Sequence, residues 1–296
     1  MTPQKKGELL VGISTIFASS QAIFAKLAYA NGVNIQTALA VRFSGAALVM
    51  VLVLSLSGIS LRLPKSGYKS FGVLAFFYIV SIYLIFTAYG LLPASLAVLF
   101  VYTYPAMTGV FSYLLDGAPL EKNKIVALVI STTGMILLFW GSWKDINLLG
   151  VACALVTALF YSLYIFYLPK VLCKVNQLTC IFWLFLACSL IFWPVGFLSG
   201  KIDLHATLQG WLSIIGLSLI GTVATNVILV RGIALIGSVQ AALICILEPL
   251  LTVVWAFLVF DEVLRGIQIP GSFLILLAIS LSVREKKDAL KKNISA

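Results

Sequence analysis

Residues Ser238–Leu264 read SVQAALICILEPLLTVVWAFLVFDEVL, an apolar run that is interrupted by one acid and one proline and that indicates the class of fold. The 21 residues from Val239 to Val259 are long and apolar enough to cross a bilayer, which takes about 20 residues. Their one acid, Glu248, is followed by Pro249. A carboxylate at the bilayer centre costs roughly 2.5–3.5 kcal/mol, and a proline there kinks the helix and frees backbone carbonyls. The pair therefore predicts a functional site in the middle of a membrane helix.

The same pattern occurs earlier in the chain. Residues 91–120 read LLPASLAVLFVYTYPAMTGVFSYLLDGAPL, and Pro105 lies 144 positions before Pro249. Each copy is an apolar span with a proline near its middle, followed by a short acidic loop that begins at Asp116 or Asp261. Proline-interrupted spans in corresponding positions of two halves are typical of internally repeated transporters, whose binding site lies between the repeats. We expect both prolines to mark helix kinks.

Composition gives the same broad class. Hydrophobic residues make up 61% of the 296 residues and charged residues 10%, whereas soluble domains have about 45–50% and about 25%. The chain is therefore predicted to be an all-α polytopic membrane protein, with an uncleaved first span rather than a signal peptide. Hydropathy predicts ten transmembrane helices: 8–29, 36–57, 70–90, 94–115, 124–142, 147–168, 178–198, 210–230, 238–259 and 267–283.

The distribution of basic residues predicts the orientation. Fifteen of the 20 Lys and Arg residues lie in segments that share one side with both termini, and three lie in loops on the other side. The positive-inside rule then places both termini in the cytoplasm, for a multi-pass protein of the cell (inner) membrane. Five spans per half give two inverted five-helix repeats, 1–145 and 146–285, followed by a basic cytoplasmic tail, 286–296. This tail explains part of the net charge of +10 without a nucleic-acid partner.

Several stretches of the chain are recognisable as motifs: FAKLAY around Lys26, LAVRFSG around Arg42, LLPASLAVLFVYTYP at 91–105, Gly134 in the fifth span, and the run from 224 to 264. In these stretches the chain resembles the drug/metabolite transporter superfamily, in particular its EamA-type ten-helix members. The resemblance covers almost the whole chain. Two departures stand out: helix 1 carries Ala-Ser-Ser-Gln at 18–21 where members often carry Trp-Gly, and the first repeat has Asp-Gly at 116–117 where Gly-Glu is common.

The resemblance implies a basket-like bundle in which helices 1, 3, 4, 6, 8 and 9 line a central cavity and helices 5 and 10 are peripheral. Polar side chains on those six helices recur at helical spacings, so each helix presents a polar face. In helix 4 the spacing puts Tyr102 on that face and Tyr104 off it. Packing within the bundle is the alternative for each residue. The candidate substrate-binding residues are Ser19, Tyr78, Tyr102, Thr157, Tyr161, Asn226, Glu248, Thr252 and Trp255.

Lys26 and Arg42 are the candidates for gating or charge pairing, because a buried charge needs compensation. We expect one of them to compensate Glu248 in one conformation and to release it, or to take a substrate carboxylate, in another. The alternatives are a permanent structural ion pair and, for Lys26, a side chain that snorkels to the surface. Glu248 is also a candidate proton site, or a site for a substrate amine.

These observations predict a secondary active transporter of a small organic metabolite, amino-acid-like or amphipathic, that works by alternating access. The resemblance implies efflux, the commoner direction in the family. No G-x-x-x-x-G-K-[ST] motif for nucleotide hydrolysis is present, so a gradient must drive the cycle. The five cysteines have no paired spacing and there is one histidine, so no metal, cofactor or enzymatic activity is expected. The expected partners are the substrate, the lipid bilayer and protons. Import or exchange by the same fold, a channel or scramblase, and a lipid-acting enzyme remain the alternatives.

Overall fold

The structure is a computed structural model, and it describes residues 2–117, 126, 129–130, 132–134, 136–137, 146–245, 247–262, 266, 269–274 and 276–278. Within these residues every regular element is a helix. The predicted all-α membrane fold is therefore confirmed. Eleven helices are labelled here: α1 (Pro3–Ser19), α2 (Gln21–Ala30), α3 (Ile35–Leu56), α4 (Tyr68–Leu91), α5 (Ala94–Val101), α6 (Tyr104–Asp116), α7 (Leu148–Leu172), α8 (Gln177–Leu198), α9 (Leu208–Ser218), α10 (Thr225–Cys245) and α11 (Leu247–Phe260).

Short polar side chains start several of these helices. The side-chain oxygens of Asn34, Asn147 and Thr207 accept hydrogen bonds from the backbone N–H three residues further on, at 2.9, 3.1 and 3.1 Å. Each bond satisfies one of the free N–H groups at a helix N-terminus, a cap that contributes about 1 kcal/mol. All three residues lie within three positions of the predicted start of a span, so the sequence itself specifies where these helices begin.

Six helical segments among the described residues are long and apolar enough to cross a membrane. They run from Pro3 to Ala30, Ile35 to Leu56, Tyr68 to Leu91, Leu148 to Leu172, Gln177 to Leu198 and Leu208 to Ile236. Six of the predicted spans overlap them: the first three and the sixth to eighth. The fifth and tenth predicted spans lie largely outside the described residues, and the predicted tail, 286–296, lies wholly outside them.

The predicted boundary between the eighth and ninth spans is wrong. We expected a loop at 231–237, but α10 continues as a helix from Thr225 to Cys245. The reason is that residues 231–245 contain no proline and consist mainly of residues that tolerate a helix, so the two glycines, Gly232 and Gly237, do not end it.

Pro105 lies in the first turn of a short helix, whereas Pro249 lies three residues after Ile246, which is outside the described residues. Pro105 is the second residue of α6 and Pro249 the third residue of α11. In a first turn the missing proline N–H costs no intrahelical hydrogen bond. In the first half, the fourth predicted span is divided into α5 and α6 with Tyr102 and Thr103 between them.

The main helix pairs join the two halves of the chain in a symmetric way. Helix α1 packs against α10, and α7, the corresponding first helix of the second half, packs against α4. Likewise α3 packs against its counterpart α8. This is the arrangement expected when two similar halves interlock about a shared axis, and the core lies along these contacts.

Glycine contacts repeat this symmetry at residue level. A Cβ built on Gly7 of α1 would lie 2.8 Å from Leu235 Cβ, and one built on Gly150 of α7 would lie 2.9 Å from Leu91 Cβ. Leu91 lies 144 positions before Leu235, the spacing of the two prolines. Only a residue without a side chain fits either crossing, so the two halves use the same close packing.

Two hydrogen bonds between the halves are also equivalent. Ser14 Oγ of α1 donates to the Thr225 carbonyl oxygen at 2.8 Å. Thr157 Oγ1 of α7 shares its hydrogen between the Ser81 carbonyl oxygen at 3.4 Å and the Cys153 carbonyl oxygen of its own helix at 2.8 Å. Ser81 lies 144 positions before Thr225. Each contact joins a helix of one half to a helix of the other half.

Candidate functional site

A cavity of about 240 Å³ lies at the centre of the bundle, between the two halves. Its wall combines apolar side chains with hydroxyl groups, one acid and one guanidinium. Its polar lining residues are Ser14, Thr15, Ser19, Gln21, Arg42, Tyr78, Ser81, Tyr89, Tyr102, Tyr104, Thr157, Tyr161, Tyr164, Thr225, Asn226, Glu248 and Thr252.

Glu248 enters this cavity from the first turn of α11. Its carboxyl group lies beside the Tyr102 hydroxyl, which lines the same cavity. Glu248 thus places an acid in the wall of a cavity within the membrane-spanning bundle.

A chain of aromatic rings runs along the wall from Tyr102. Tyr102 and Tyr104 have centroids 5.8 Å apart, Tyr104 and Tyr161 4.8 Å, and Tyr161 and Tyr164 5.5 Å. Tyr164 lies 5.1 Å from Tyr78, whose ring is 6.4 Å from that of Phe43. The chain thus begins beside Glu248 and ends beside Arg42, so an amphipathic solute would meet rings along its body and opposite charges at the two ends.

Arg42 of α3 is held in place by neutral groups. Its Nε donates to Thr222 Oγ1 at 2.7 Å, and its Nη2 donates to Gln21 Oε1 at 2.6 Å. The guanidinium carbon lies 4.9 Å from the centroid of Phe43 and 4.7 Å from that of Phe86. Cation–π contacts of this kind offset part of the cost of burying the charge.

Thr222 belongs to a π-helical segment, Leu219–Ala224, between α9 and α10. The Thr222 and Thr225 hydroxyls each donate to a carbonyl five residues earlier, at 2.8 and 2.9 Å. Single π turns occur often at functional sites. Here the turn directs Thr222 to Arg42, while Thr225 and Asn226 line the cavity.

The hydroxyl groups of the predicted site mostly donate within the protein. Ser19 Oγ donates to the Ile16 carbonyl at 2.8 Å, Thr157 Oγ1 to the Cys153 carbonyl at 2.8 Å, and Thr252 Oγ1 to the Glu248 carbonyl at 3.0 Å. Their hydrogens are thus committed, and these oxygens can only accept hydrogen bonds from a solute.

Most of the predicted substrate-binding residues come together in this one cavity. Trp255 does not line it: among the described residues its buried Nε1 has no hydrogen-bond partner, and the ring packs against the hydrophobic core. Eight predicted residues line the cavity, namely Ser19, Tyr78, Tyr102, Thr157, Tyr161, Asn226, Glu248 and Thr252.

Lys26 lies outside the cavity and pairs with a different acid from the one we considered. Its Nζ is 2.7 Å from Glu262 Oε1, and neither Lys26 nor Arg42 forms a described ion pair with Glu248 in this conformation. The resemblance implies a cavity lined by predicted helices 1, 3, 4, 6, 8 and 9, but two more contribute to the wall. Arg42 comes from α3, which is the second predicted span, and Leu184 and Phe185 come from α8, which is the seventh.

Sequence reasoning missed several residues of the wall. Tyr104 was placed off the polar face, but the break between α5 and α6 removes the regular helical spacing from Tyr102 and brings both rings to the cavity. Gln21 was noticed only as part of a departure in helix 1. The position of Tyr104, one residue before Pro105 as Glu248 is before Pro249, was the signal that could have found it.

Within the described part of the chain, no group of three or more His, Cys, Asp or Glu side chains could hold a metal ion. All five cysteines are free.

Comparison with known proteins agrees with this architecture. The chain matches the EamA-like transporter family over residues 5–140 and again over residues 148–284. A protein of Synechocystis sp. described as an uncharacterized transporter is 29% identical over 221 residues, which are 73% of this chain and 65% of that protein. The chain thus spans about two thirds of the length of this relative. A crystal structure with 16% sequence identity superposes with a TM-score of 0.68, covering 94% of this chain and 96% of the other, a likeness of fold alone.

Proposed function

The chain belongs to the EamA-like transporter family, with one match in each half, and on this premise we propose that it is a secondary active transporter of a small organic metabolite. In this proposal the solute is amino-acid-like or amphipathic, moves by alternating access, and leaves the cell. The protein lies in the cell (inner) membrane with both termini in the cytoplasm. The observation that carries the proposal is the central cavity between the two halves, with Glu248 at one end of a row of tyrosines.

The chemistry of the wall supports this substrate class. Aromatic rings offer apolar and cation–π contacts to the body of a solute. The hydroxyl oxygens and Glu248 accept hydrogen bonds, so an ammonium group suits this end of the cavity. Membrane-embedded acids that face a cavity are also typical of proton relays, which makes protons the favoured coupling ion.

The test is an untargeted comparison of metabolites in the medium and the cytosol. It uses cells that express the intact chain, its Glu248→Ala variant, or Glu8→Ala, a matched loss of an acid that does not line the cavity. We expect one solute to accumulate in the medium with the intact chain and with Glu8→Ala, and not with Glu248→Ala. If the three profiles agree while all three proteins are folded in the membrane, Glu248 has no part in transport.

The direction and the coupling are decided separately. Depletion of a component of the medium would show import, which the same fold allows because an alternating-access cycle is reversible. For coupling, the solute so identified is loaded into proteoliposomes with and without a pH gradient, and Glu248→Gln is the control. Equal flux under both conditions would exclude proton coupling, and a flux without saturation or counterflow would indicate a channel or scramblase.

A further inference from the structure

The guanidinium of Arg42 has one nitrogen without a partner. The side chain is only 2% exposed, and Nε and Nη2 are bound to Thr222 and Gln21. Nη1 is buried and has no hydrogen-bond partner among the described residues. An arginine offers five N–H donors in a planar fork, so this group lines the cavity with unused donors and a full positive charge.

No described acid neutralises this charge. The partners of Arg42 are a hydroxyl, an amide and two rings, and no described ion pair includes it. A buried, uncompensated charge is unfavourable, and an anion in the cavity would neutralise that of Arg42.

The internal symmetry argues that the fold itself does not need an arginine here. Asn34 and Asn176 cap α3 and α8, accepting from the backbone N–H three and two residues further on. Phe43 and Phe185 each follow their cap by nine residues, and the two rings pack together at 5.7 Å. The counterpart of Arg42 is therefore Leu184, which lines the same cavity. An apolar residue satisfies the packing in the second half, so the charge in the first half serves a purpose other than packing.

Glu248 likewise has no acidic counterpart in the other half of the chain. Since Pro105 corresponds to Pro249, the counterpart of Glu248 is Tyr104. Both ionisable groups of the cavity thus lack an equivalent in the other half, and they lie at opposite ends of the row of rings. A symmetric scaffold with opposite charges in two unique places gives a bound solute one orientation.

We propose that Arg42 is the anion subsite of the cavity and binds the carboxylate of the transported solute. This inference rests on the proposed function, since it names the chemical class of its substrate. The solute is an organic carboxylate whose apolar body lies along Tyr78 and Tyr164, next to the guanidinium. A single guanidinium with one unused nitrogen suits a monoanion, and Glu248 in the same cavity opposes a doubly charged phosphate.

The test measures binding to the purified full chain by thermal unfolding in detergent with three matched probes. These are 3-phenylpropionate, its neutral amide 3-phenylpropanamide, and phenyl phosphate. A hydrogen bond to a charged group contributes about 1.5–3 kcal/mol, so we expect the carboxylate to bind roughly 10- to 100-fold more tightly than the amide. Equal binding of the two, or no binding of the carboxylate, would overturn the proposal. Stabilisation by the phosphate alone would overturn the assignment to carboxylates.

Variants of the chain locate the subsite. Arg42→Gln is expected to abolish the preference for the carboxylate, and Arg62→Gln, the same change at an exposed arginine, is expected to keep it. An unchanged preference in Arg42→Gln would refute the role of Arg42. If Arg42→Gln does not fold, the relative binding of the carboxylate and the amide to the intact chain still tests the proposal.

The metabolite comparison described above separates this inference from the proposed function. A transported solute that carries a carboxylate agrees with both. A transported solute without an anionic group would leave transport in place and refute the anion subsite.

Discussion

Lys26 Nζ lies 2.7 Å from Glu262 Oε1 and joins the end of α2 to the residues that follow α11. Glu262 also accepts hydrogen bonds from the backbone N–H of Ala94 at 3.2 Å and from the N–H and Oγ of Ser95 at 3.4 and 3.2 Å. One carboxylate thus pairs with a cation and caps the N-terminus of α5. It connects both halves of the chain at one end of the bundle.

This double role predicts an order of stability among variants. Glu262→Ala removes both the ion pair and the cap of α5, so we expect it to lower the free energy of unfolding by about 1–2 kcal/mol. Lys26→Met keeps the cap and removes the ion pair of a partly exposed group together with the contact of Nζ over the Phe260 ring at 5.5 Å, so it should cost less than about 1 kcal/mol. Glu262→Gln, which keeps an acceptor for the N–H groups, should fall between them. Thermal unfolding in detergent measures all three, and equal losses in Glu262→Ala and Lys26→Met would show that the cap contributes nothing.

The natural cysteines allow a test of the predicted orientation. Cys173 is exposed, whereas the other four cysteines are buried or partly buried. With both termini in the cytoplasm, a membrane-impermeant maleimide should leave the chain unlabelled in intact cells and label Cys173 after permeabilisation. Lys201→Cys, in the loop at the opposite end of α8, should react in intact cells. The reverse pattern would invert the topology, and Cys245→Ser in both backgrounds removes the thiol that lines the cavity.

The glycine crossing of α1 and α10 predicts a sharp difference between two similar variants. A Cβ on Gly7 would collide with Ile236 and lie 3.3 Å from the carbonyl oxygen of Gly232, so the helices would have to separate. We expect Gly7→Ala to cost about 1–3 kcal/mol, the usual effect of overpacking. Gly12 of the same helix has no atom within 4 Å of such a Cβ, so Gly12→Ala should be neutral or slightly stabilising. Similar unfolding temperatures for both variants would mean that the crossing is not tightly packed.

A small hydroxyl cluster joins α3 to α8. Ser44 Oγ accepts a hydrogen bond from Trp193 Nε1 at 2.8 Å and lies 2.7 Å from Ser189 Oγ. Ser44→Ala leaves the indole N–H without this acceptor, and we expect a loss of about 1–2 kcal/mol. Ser55→Ala, at an exposed position of α3, should stay within about 0.5 kcal/mol. Unfolding followed by tryptophan fluorescence makes the comparison, and equal stability of the two variants would contradict the assigned hydrogen bond.

The sequence was sufficient for features that depend on local composition. Apolar length and hydrophobicity located six of the spans, and the acid beside a proline located Glu248. The polar faces of the first, third, sixth and ninth predicted spans also identified residues that line the cavity. Within a regular helix, the spacing of residues fixes the side on which they lie.

Features that depend on distant contacts were not predictable in this way. The partner of Lys26 is 236 positions away, and nothing in the local sequence distinguishes Glu262 from other acids at the end of a span. Trp255 lies seven residues after Glu248 in the ninth predicted span, a spacing that puts both on one helix face. Its ring nevertheless packs against the hydrophobic core, because an aromatic residue at the edge of a polar face fits either environment.

The π turn at 219–224 inserts one extra residue into an otherwise continuous run of helix from Leu208 to Cys245. Each residue advances an α-helix by about 100°, so everything after the turn is out of phase with everything before it by roughly that angle. Deleting one residue from the segment would keep the span helical and rotate Thr225 and Asn226 about the helix axis, away from the cavity that they line. The number of residues in this short segment therefore sets which side chains of the following helix face the cavity. A related chain with one residue fewer in the segment would have different side chains in the cavity wall of the same bundle.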